Sequence, residues 1–281
     1  MSRLVYPVPS YVSHSQVAAL LPTRAGSCPL RWAFERRLRL PSAGSLAMEL
    51  GSALDDGLNE MLRPTLAAMP VDLARGVAAM RARVDLIPDA LADGAARAKE
   101  GDALEAALRG FHDAHGSWQG QDVQLEFMVE YEGVPIKGVV DRIDADGTIV
   151  DHKLSRTQRV KDGALDPEWL AERRPQLALY LACVALLEGQ AVGSRTKAAL
   201  EVCYATARLK TPQWHYAALE IGREEQEQAL ADAVTTSALR DSGVYPARPG
   251  RHCGFCDFCA ECGEVQSMLA LRVENIAGAL E

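Results

Sequence analysis

The stretch Gly138-Val-Val-Asp141-Arg-Ile-Asp144-Ala-Asp-Gly147-Thr-Ile-Val-Asp151-His-Lys153 decides how this chain folds. Its valines and isoleucines fall as in two short β-strands, with Asp146-Gly147 between them as a turn. Aspartate and lysine are poor strand formers, so Asp141, Asp151 and Lys153 inside such runs call for a chemical reason. A three-residue loop, Ala145-Asp146-Gly147 with the glycine left-handed, sets Asp144 against Thr148, Ile143 against Ile149 and Asp141 against Asp151. Lys153 then shares a face with Asp151, because side chains alternate along a strand. A two-residue loop slips the register by one and sends the two aspartates to opposite faces. Only the three-residue loop makes chemical sense, and it is the register expected.

The preceding segment extends the pattern. Val123–Tyr131 and Val134–Arg142 flank Glu132-Gly133, a two-residue turn that sets Glu126 opposite Val139, on the face of Asp141. Three carboxylates and a lysine then gather on one face of a three-stranded meander. Like charges so close repel unless a cation neutralises them, which implies a bound metal. All-oxygen ligation suits Mg²⁺ or Mn²⁺. The alternative is a salt-bridged, solvated sheet face, the common origin of a lone Asp-x-Lys tripeptide.

Composition sets the frame. The 281 residues suffice for one large core or two smaller ones, and 48% hydrophobic with 24% charged residues is ordinary for a soluble globular protein. No basic start followed by an apolar core opens the chain, and no apolar run reaches membrane-spanning length, so a cytoplasmic location and no membrane partner are expected. Seven cysteines in that compartment read as metal ligands or buried thiols before disulfides. The net charge of −8 argues against a nucleic-acid partner at first sight. Basic residues nevertheless crowd Arg24, Arg31, Arg36, Arg37 and Arg39, and recur at Arg248 and Arg251, so a local basic channel is compatible with an acidic chain.

Residues 15–120 read as mostly helical. Helices are expected over Leu30–Leu40 and Leu46–Leu62, with two or three more between Pro70 and His115, broken near Pro88 and Gly94. Strands follow from Val123 to Lys153. A long helix is expected over Pro167–Gly189 with a turn or kink near Pro175, then a buried strand over Ala198–Ala207 and a shorter one over Trp214–Leu219. A helix over Glu224–Leu239 and a closing helix from about Val265 complete an α/β order with a helical N-terminal region. Gln176 and Tyr180 stand at i and i+4, on one face of the long helix. They either cap the core edge with satisfied polar tips or hold a phosphate or attacking water beside the metal.

The second strong signal is Cys253-Gly-Phe-Cys256-Asp-Phe-Cys259-Ala-Glu-Cys262. Four cysteines at three-residue spacing are hard to explain as core packing. Zinc in a four-cysteine site and an iron–sulfur cluster both suit the spacing, which does not choose between them. Cys183 and Cys203 fall in apolar elements and read as small buried hydrophobes. Cys28 lies in a turn-like Ser-Cys-Pro segment, open to recruitment.

Gly138-x-x-Asp141, Asp151-x-Lys153 and Gln176-x3-Tyr180, in this order and spacing, resemble the RecB-type branch of the PD-(D/E)xK nucleases. That branch includes helicase–nuclease subunits, CRISPR-adaptation nucleases and stand-alone phage exonucleases. The resemblance implies a restriction-endonuclease-like α/β core, a mixed central sheet flanked by helices, at 121–245. An N-terminal helical region (1–120) and a C-terminal cysteine segment with a closing helix (246–281) would frame it. It further implies a [4Fe-4S] cluster on Cys28, Cys253, Cys256 and Cys262, with Cys259 spare and zinc the lesser alternative. The cluster would be structural, tying the N-terminal region to the C-terminus. One departure stands out: the family's Gly-x3-His appears here as Gly51-Ser-Ala-Leu-Asp55, with aspartate in place of histidine. Asp56 is the alternative ligand if the helix register differs by one.

The chemistry so implied is metal-assisted hydrolysis of phosphodiesters in DNA, from ends or single strands. Asp141, Asp151, Asp55 and the His152 carbonyl would hold Mg²⁺ or Mn²⁺. Lys153 would position the water or stabilise charge on phosphorus, and Gln176 and Tyr180 would orient the strand. A bacterial or phage-infected cell, DNA recombination and repair, phage DNA processing and CRISPR-adaptation partners all suit the resemblance. Two other classes stay open: a non-catalytic DNA-binding or assembly module on the same fold, and a zinc-stabilised protein whose acidic face is incidental. Oligomeric state is not legible.

Overall fold

The computed structural model describes residues 7, 9–24, 26–42, 44–161 and 164–263, so the helix expected from Val265 lies outside the described residues. The described residues fall into two compact units: those within 7–42, 130–135 and 231–263 make one, and those within 44–129 and 136–230 the other.

The larger unit is a mixed sheet with helices. Its strands are β1 (Gly120–Tyr131), β2 (Val134–Asp144), β3 (Ile149–Ser155), β6 (Lys197–Tyr204) and β7 (Gln213–Glu220), in the order β1-β2-β3-β6-β7. β3 and β6 run parallel, joined through α6 (Pro167–Leu187), while β2–β3 and β6–β7 are antiparallel. A parallel pair needs a long crossover, and the apolar run of α6 supplies it. Asp166 caps α6 by accepting from the N–H groups of Glu168 and Trp169, and Pro167 fits its first turn. Pro175 lies inside this helix. Two-residue strands β4 (Val160–Lys161) and β5 (Ala164–Leu165) form a small separate pair with no clear sequence signal.

Three helices, α3 (Leu46–Leu62), α4 (Leu73–Asp85) and α5 (Gly94–His115), precede the sheet. Each starts at a polar cap: Ser45, Asp72 and Asp93 accept from the N–H three residues on. Leu50, Leu54, Leu58 and Met61 recur at helical spacing along α3 and are fully buried in a core shared with Met80, Leu104, Leu108 and Phe111. The backbones of α3 and α4 approach closely at Gly57 and Gly76. A Cβ on Gly76 would lie 2.6 Å from the Gly57 carbonyl oxygen and from Met61 Cβ.

The smaller unit holds α1 (His14–Leu20), α2 (Pro29–Arg36) and a 3₁₀ turn at Arg251–Phe255. Trp32 packs on Tyr245 with ring centroids 5.4 Å apart, and Phe34 on Phe258 at 5.5 Å. α2 is shorter than the Leu30–Leu40 expected. Arg39 adopts φ 47°, and residue 40, preceding Pro41, is disfavoured in a helix. Helix α7 (Arg223–Asp241) completes the described elements before the cysteine segment. Among the described residues no helix is long and apolar enough to cross a membrane.

Candidate active site

The β2–β3 hairpin has the register expected. Ile143 pairs with Ile149 and Arg142 with Val150, and Gly147 takes φ 82°, a conformation glycine adopts without strain. Asp144 accepts from Gly147 N at 2.9 Å and donates its own N–H to the Thr148 carbonyl at 3.0 Å. The recorded pairing ends at Arg142–Val150, and beyond it Asp141 meets the Asp151–Lys153 strand through its side chain. Asp141 Oδ2 there accepts the main-chain N–H of His152 at 2.8 Å, so a side chain bridges the two strands. Lys153 Nζ lies 2.6 Å from Asp151 Oδ2 and donates to the His152 carbonyl at 3.2 Å.

Helix α6 closes one side of the group. Gln176 Nε2 donates to Asp151 Oδ1 at 2.9 Å and to the Tyr180 hydroxyl at 3.1 Å. The Tyr180 ring packs edge-on against Phe127, with centroids 5.7 Å apart. Gly138 is part of the same fit, because a Cβ there would come within 2.4 Å of the Phe127 ring. The Gly-x-x-Asp pattern thus joins a packing need to a chemical one.

Helix α3 brings Asp55. Burial of Ala53, Leu54, Gly57 and Leu58 against the core orients the helix so that Asp55 is half-buried and Asp56 exposed. Burial and the neighbouring Asp141 charge push the Asp55 carboxyl up to about 7, with His152 and Lys153 opposing and Asp151 adding to the rise. Asp151 is 2% exposed, and burial, with Asp141, raises its carboxyl against the pull of Lys153. Burial works against the Lys153 ammonium, yet Asp151 and Asp141 outweigh it and raise its pKa. The Tyr180 hydroxyl is pushed up to about 12 by burial, so it stays a proton donor. Asp55, Asp141, Asp151 and Lys153 therefore form one electrostatic unit.

Glu126 does not join it. Its side chain is 72% exposed and lies 3.6 Å from Lys137 Nζ, beside a separate cavity of about 430 Å³ with Asp56 and Glu60. Gln124 stands by Asp141 instead, its Nε2 3.4 Å from Oδ1. Gln124 has φ 57° inside β1, a local irregularity of the kind that re-aims side chains along a strand. Only the backbone reveals it, for no glycine marks the position.

The donor set fits a hard divalent cation. Asp141 raises the proton affinity of both Asp55 and Asp151, and a crowding of carboxylates that favours protons also attracts a cation, with the Lys153 ammonium, 2.6 Å from the buried Asp151 Oδ2, opposing it. Among the described residues no three His, Cys, Asp or Glu side chains are already drawn together around a single ion.

The cysteines gather elsewhere, within the smaller unit. Cys28 is the N-cap of α2, with Pro29 in its first turn. Cys28, Cys253, Cys256, Cys259 and Cys262 line one cavity of about 270 Å³. Burial raises the Cys262 thiol, and proximity to Cys28 and Cys253 raises it further. Cys259 is the exposed member, its Sγ 3.0 Å from the Cys253 carbonyl oxygen. This sulfur-rich pocket suits soft metal chemistry. In a cubane cluster each cysteine binds a different iron, so its sulfurs stand further apart than the four around one zinc. Cys183 and Cys203 are buried in α6 and β6, as expected, and burial raises both thiols.

A charged network around Arg142 and Glu201 went unread in the sequence. Its signal was there: Glu201 is a carboxylate inside the apolar run Ala198–Tyr204.

Residues 12–263 match the model of the PD-(D/E)XK nuclease superfamily. Among solved structures the fold is similar to a crystal structure described as a "Putative exonuclease" from Eubacterium rectale. The two share a TM-score of 0.55 and 19% sequence identity over 90% of this chain and 88% of that one. A second crystal structure, of SSO0001, aligns more distantly, with TM-score 0.36 and 18% identity over 72% of this chain and 93% of that one. No curated protein is matched. Nucleases of the superfamily typically use divalent metals, in accord with the acidic donor set. The family match runs through the sheet, the Asp141–Lys153 hairpin and the helices around them, and the chain belongs to the PD-(D/E)XK nuclease superfamily.

Proposed function

We propose that this chain is a Mg²⁺- or Mn²⁺-dependent deoxyribonuclease that removes nucleotides from DNA ends and carries a structural [4Fe-4S] cluster. The observation that carries the reading is the geometry around Asp151, with Lys153 Nζ 2.6 Å from its Oδ2, Gln176 bonded to its Oδ1, and Asp141 held on the next residue's N–H. Asp55, Asp141, Asp151 and the His152 carbonyl are the residues that would hold the metal. A metal bound by them supplies Lewis acidity and a more acidic water. Lys153, held beside Asp151, brings a point cation to negative charge developing on the phosphate. Gln176 donates its two amide N–H bonds to Asp151 and to the Tyr180 oxygen, orienting both, so that the Tyr180 O–H is the donor offered to the DNA strand.

Free ends as the point of attack rest on the family resemblance and on the exonuclease description of the Eubacterium rectale structure. DNA recombination and repair, phage DNA processing or CRISPR adaptation, with protein partners from those systems, is the setting this suggests. Cys28, Cys253, Cys256 and Cys262 would bind the cluster, supported by the cavity they share. A cluster there would fasten the start of α2 to the C-terminal cysteine segment.

A second reading, a DNA-binding module without metal, draws on the lack of a convergent three-ligand set among the described residues. Lys153→Ala separates the two. On the nuclease reading it abolishes metal-dependent loss of linear DNA and leaves the fold intact. Unchanged activity removes Lys153 from the mechanism, and a wild type inert on all DNA forms with both metals favours the binding module.

A further inference from the structure

The face of the sheet turned away from Asp151 and Lys153 carries charges that the proposed chemistry does not use. Side chains alternate, so His152 points to this face. Glu201 is its register partner on β6, and Arg142 stands across from Val150 on β2. The Arg142 and Glu201 side chains are 2% exposed, and that of His152 is 1% exposed. Arg142 Nη1 donates to Glu201 Oε2 at 2.8 Å, and its Nε donates to Asp144 Oδ1 at 2.8 Å. Trp118 Nε1 donates to the same Asp144 oxygen at 2.7 Å. His115 Nε2 lies 3.0 Å from Glu201 Oε1, and His152 Nε2 lies 3.4 Å from Glu201 Oε2. The Arg142 guanidinium also stacks near Phe111 and Trp118, 5.7 and 5.5 Å from their ring centroids.

Stability alone does not account for such an arrangement. Two charges withdrawn from water are commonly no better than apolar residues of the same volume. What distinguishes the network is its attachment to the site. The His152 main chain lies between the two: its N–H holds Asp141 Oδ2 and its carbonyl accepts from Lys153 Nζ. The polar contacts of the His152 ring all fall on its Nε2 edge, where Arg142 Nη1 also lies at 3.4 Å, while Nδ1 is buried without a hydrogen-bond partner and the ring packs edge-on against Phe111. A shift of that ring would carry the main chain with it, and with the main chain the Asp141 carboxylate and the Lys153 ammonium.

We propose that Glu201, with Arg142 as its buried counter-ion, is a positioning residue that locks the His152 side chain and so sets the Asp141 and Lys153 groups for metal binding and cleavage. The inference rests on the nuclease reading of this site. Its effect resembles that of outer partners that orient ligands without touching the metal.

The test uses the full-length chain purified anaerobically. Glu201→Gln keeps the shape and removes the charge. Where that loss unfolds the chain, the double variant Arg142→Met/Glu201→Leu takes its place, because a buried pair replaced as a whole by apolar residues is commonly tolerated. Each is compared with wild type in thermal midpoint, in Mn²⁺ affinity by electron paramagnetic resonance titration, and in kcat and KM on linear DNA. The expected result is a folded variant whose Mn²⁺ affinity and kcat fall about 10–100-fold while KM moves little. A variant that loses thermal stability but keeps wild-type Mn²⁺ affinity and kcat overturns the positioning role. A wild type that binds Mn²⁺ without cutting DNA refutes the nuclease reading alone, and the Mn²⁺ affinities then decide the positioning role. A wild type that binds no Mn²⁺ overturns both.

Discussion

Gln176 Nε2 donates to Asp151 Oδ1 at 2.9 Å, tying helix α6 to the strand that carries the central carboxylate. Asp151 is buried, and a carboxylate deprived of a donor there takes up a proton more readily. Gln176→Ala should therefore lower metal affinity and kcat by about 10–100-fold, as loss of an orienting partner does. The fold should survive, with a loss on the order of 1–3 kcal/mol for the buried oxygen left unpaired. Isothermal titration with Mn²⁺, alongside chemical denaturation, separates the two effects. Unchanged metal affinity would make Gln176 a packing residue.

Asp55 makes the metal-free protein pH-sensitive. Its carboxyl rises from an ordinary value of 3.8 to about 7 on folding, first through burial and then through Asp141. The folded state therefore binds more protons than the unfolded one between those values, so this group's contribution to stability falls as pH rises through them. Above about pH 7 the cost is fully present. In EDTA, Asp55→Asn should lie closest to wild type below pH 3.8, where Asp55 is protonated in both states, gain on it as pH rises, and exceed it by several degrees in thermal midpoint near pH 8. Mn²⁺ at pH 8 should then stabilise wild type more than the variant. A midpoint difference that stays constant with pH would show that Asp55 does not titrate in this range.

The cysteines make a spectroscopic prediction. Anaerobically purified protein should be brown with broad visible absorption. Cys28→Ser should lose that colour, whereas Cys259→Ser, altered at the exposed cysteine, should keep it. Colourless protein with stoichiometric zinc would sink the cluster assignment.

Packing under the site can be probed at Gly76. A side chain there meets the Gly57 carbonyl and Met61 at 2.6 Å, and overpacking of this kind costs about 1–3 kcal/mol. Gly76→Ala should lower the denaturation midpoint and also reduce activity, because Asp55 rides on the α3 helix that must shift. Wild-type stability would mean that α3 and α4 separate freely.

Much of this site was legible in the residues. The Asp146-Gly147 turn alone allowed a two- or a three-residue loop, and the pairing of Ile143 with Ile149 followed from requiring Asp141 and Asp151 on one face. The observed span of α3, Leu46–Leu62, was legible in the sequence. The choice between Asp55 and Asp56 was not, because it depends on which arc of α3 the α4 and α5 helices cover. Glu126 was misplaced for a related reason. Strict alternation carried it to the Asp141 side, and the backbone irregularity at Gln124 breaks that alternation without a glycine to announce it. Glu201 shows the opposite case, a charged residue in an apolar strand whose partners, Arg142 and His115, lie far away in sequence.

The central claim is tested most directly by incubating the anaerobically purified protein with linear single-stranded, linear duplex and covalently closed circular DNA, each with Mg²⁺, Mn²⁺ or EDTA. The account predicts progressive shortening of linear DNA with either metal, none in EDTA, and intact circles. Linear DNA that persists with both metals, while the protein carries its cluster and is folded, would contradict it.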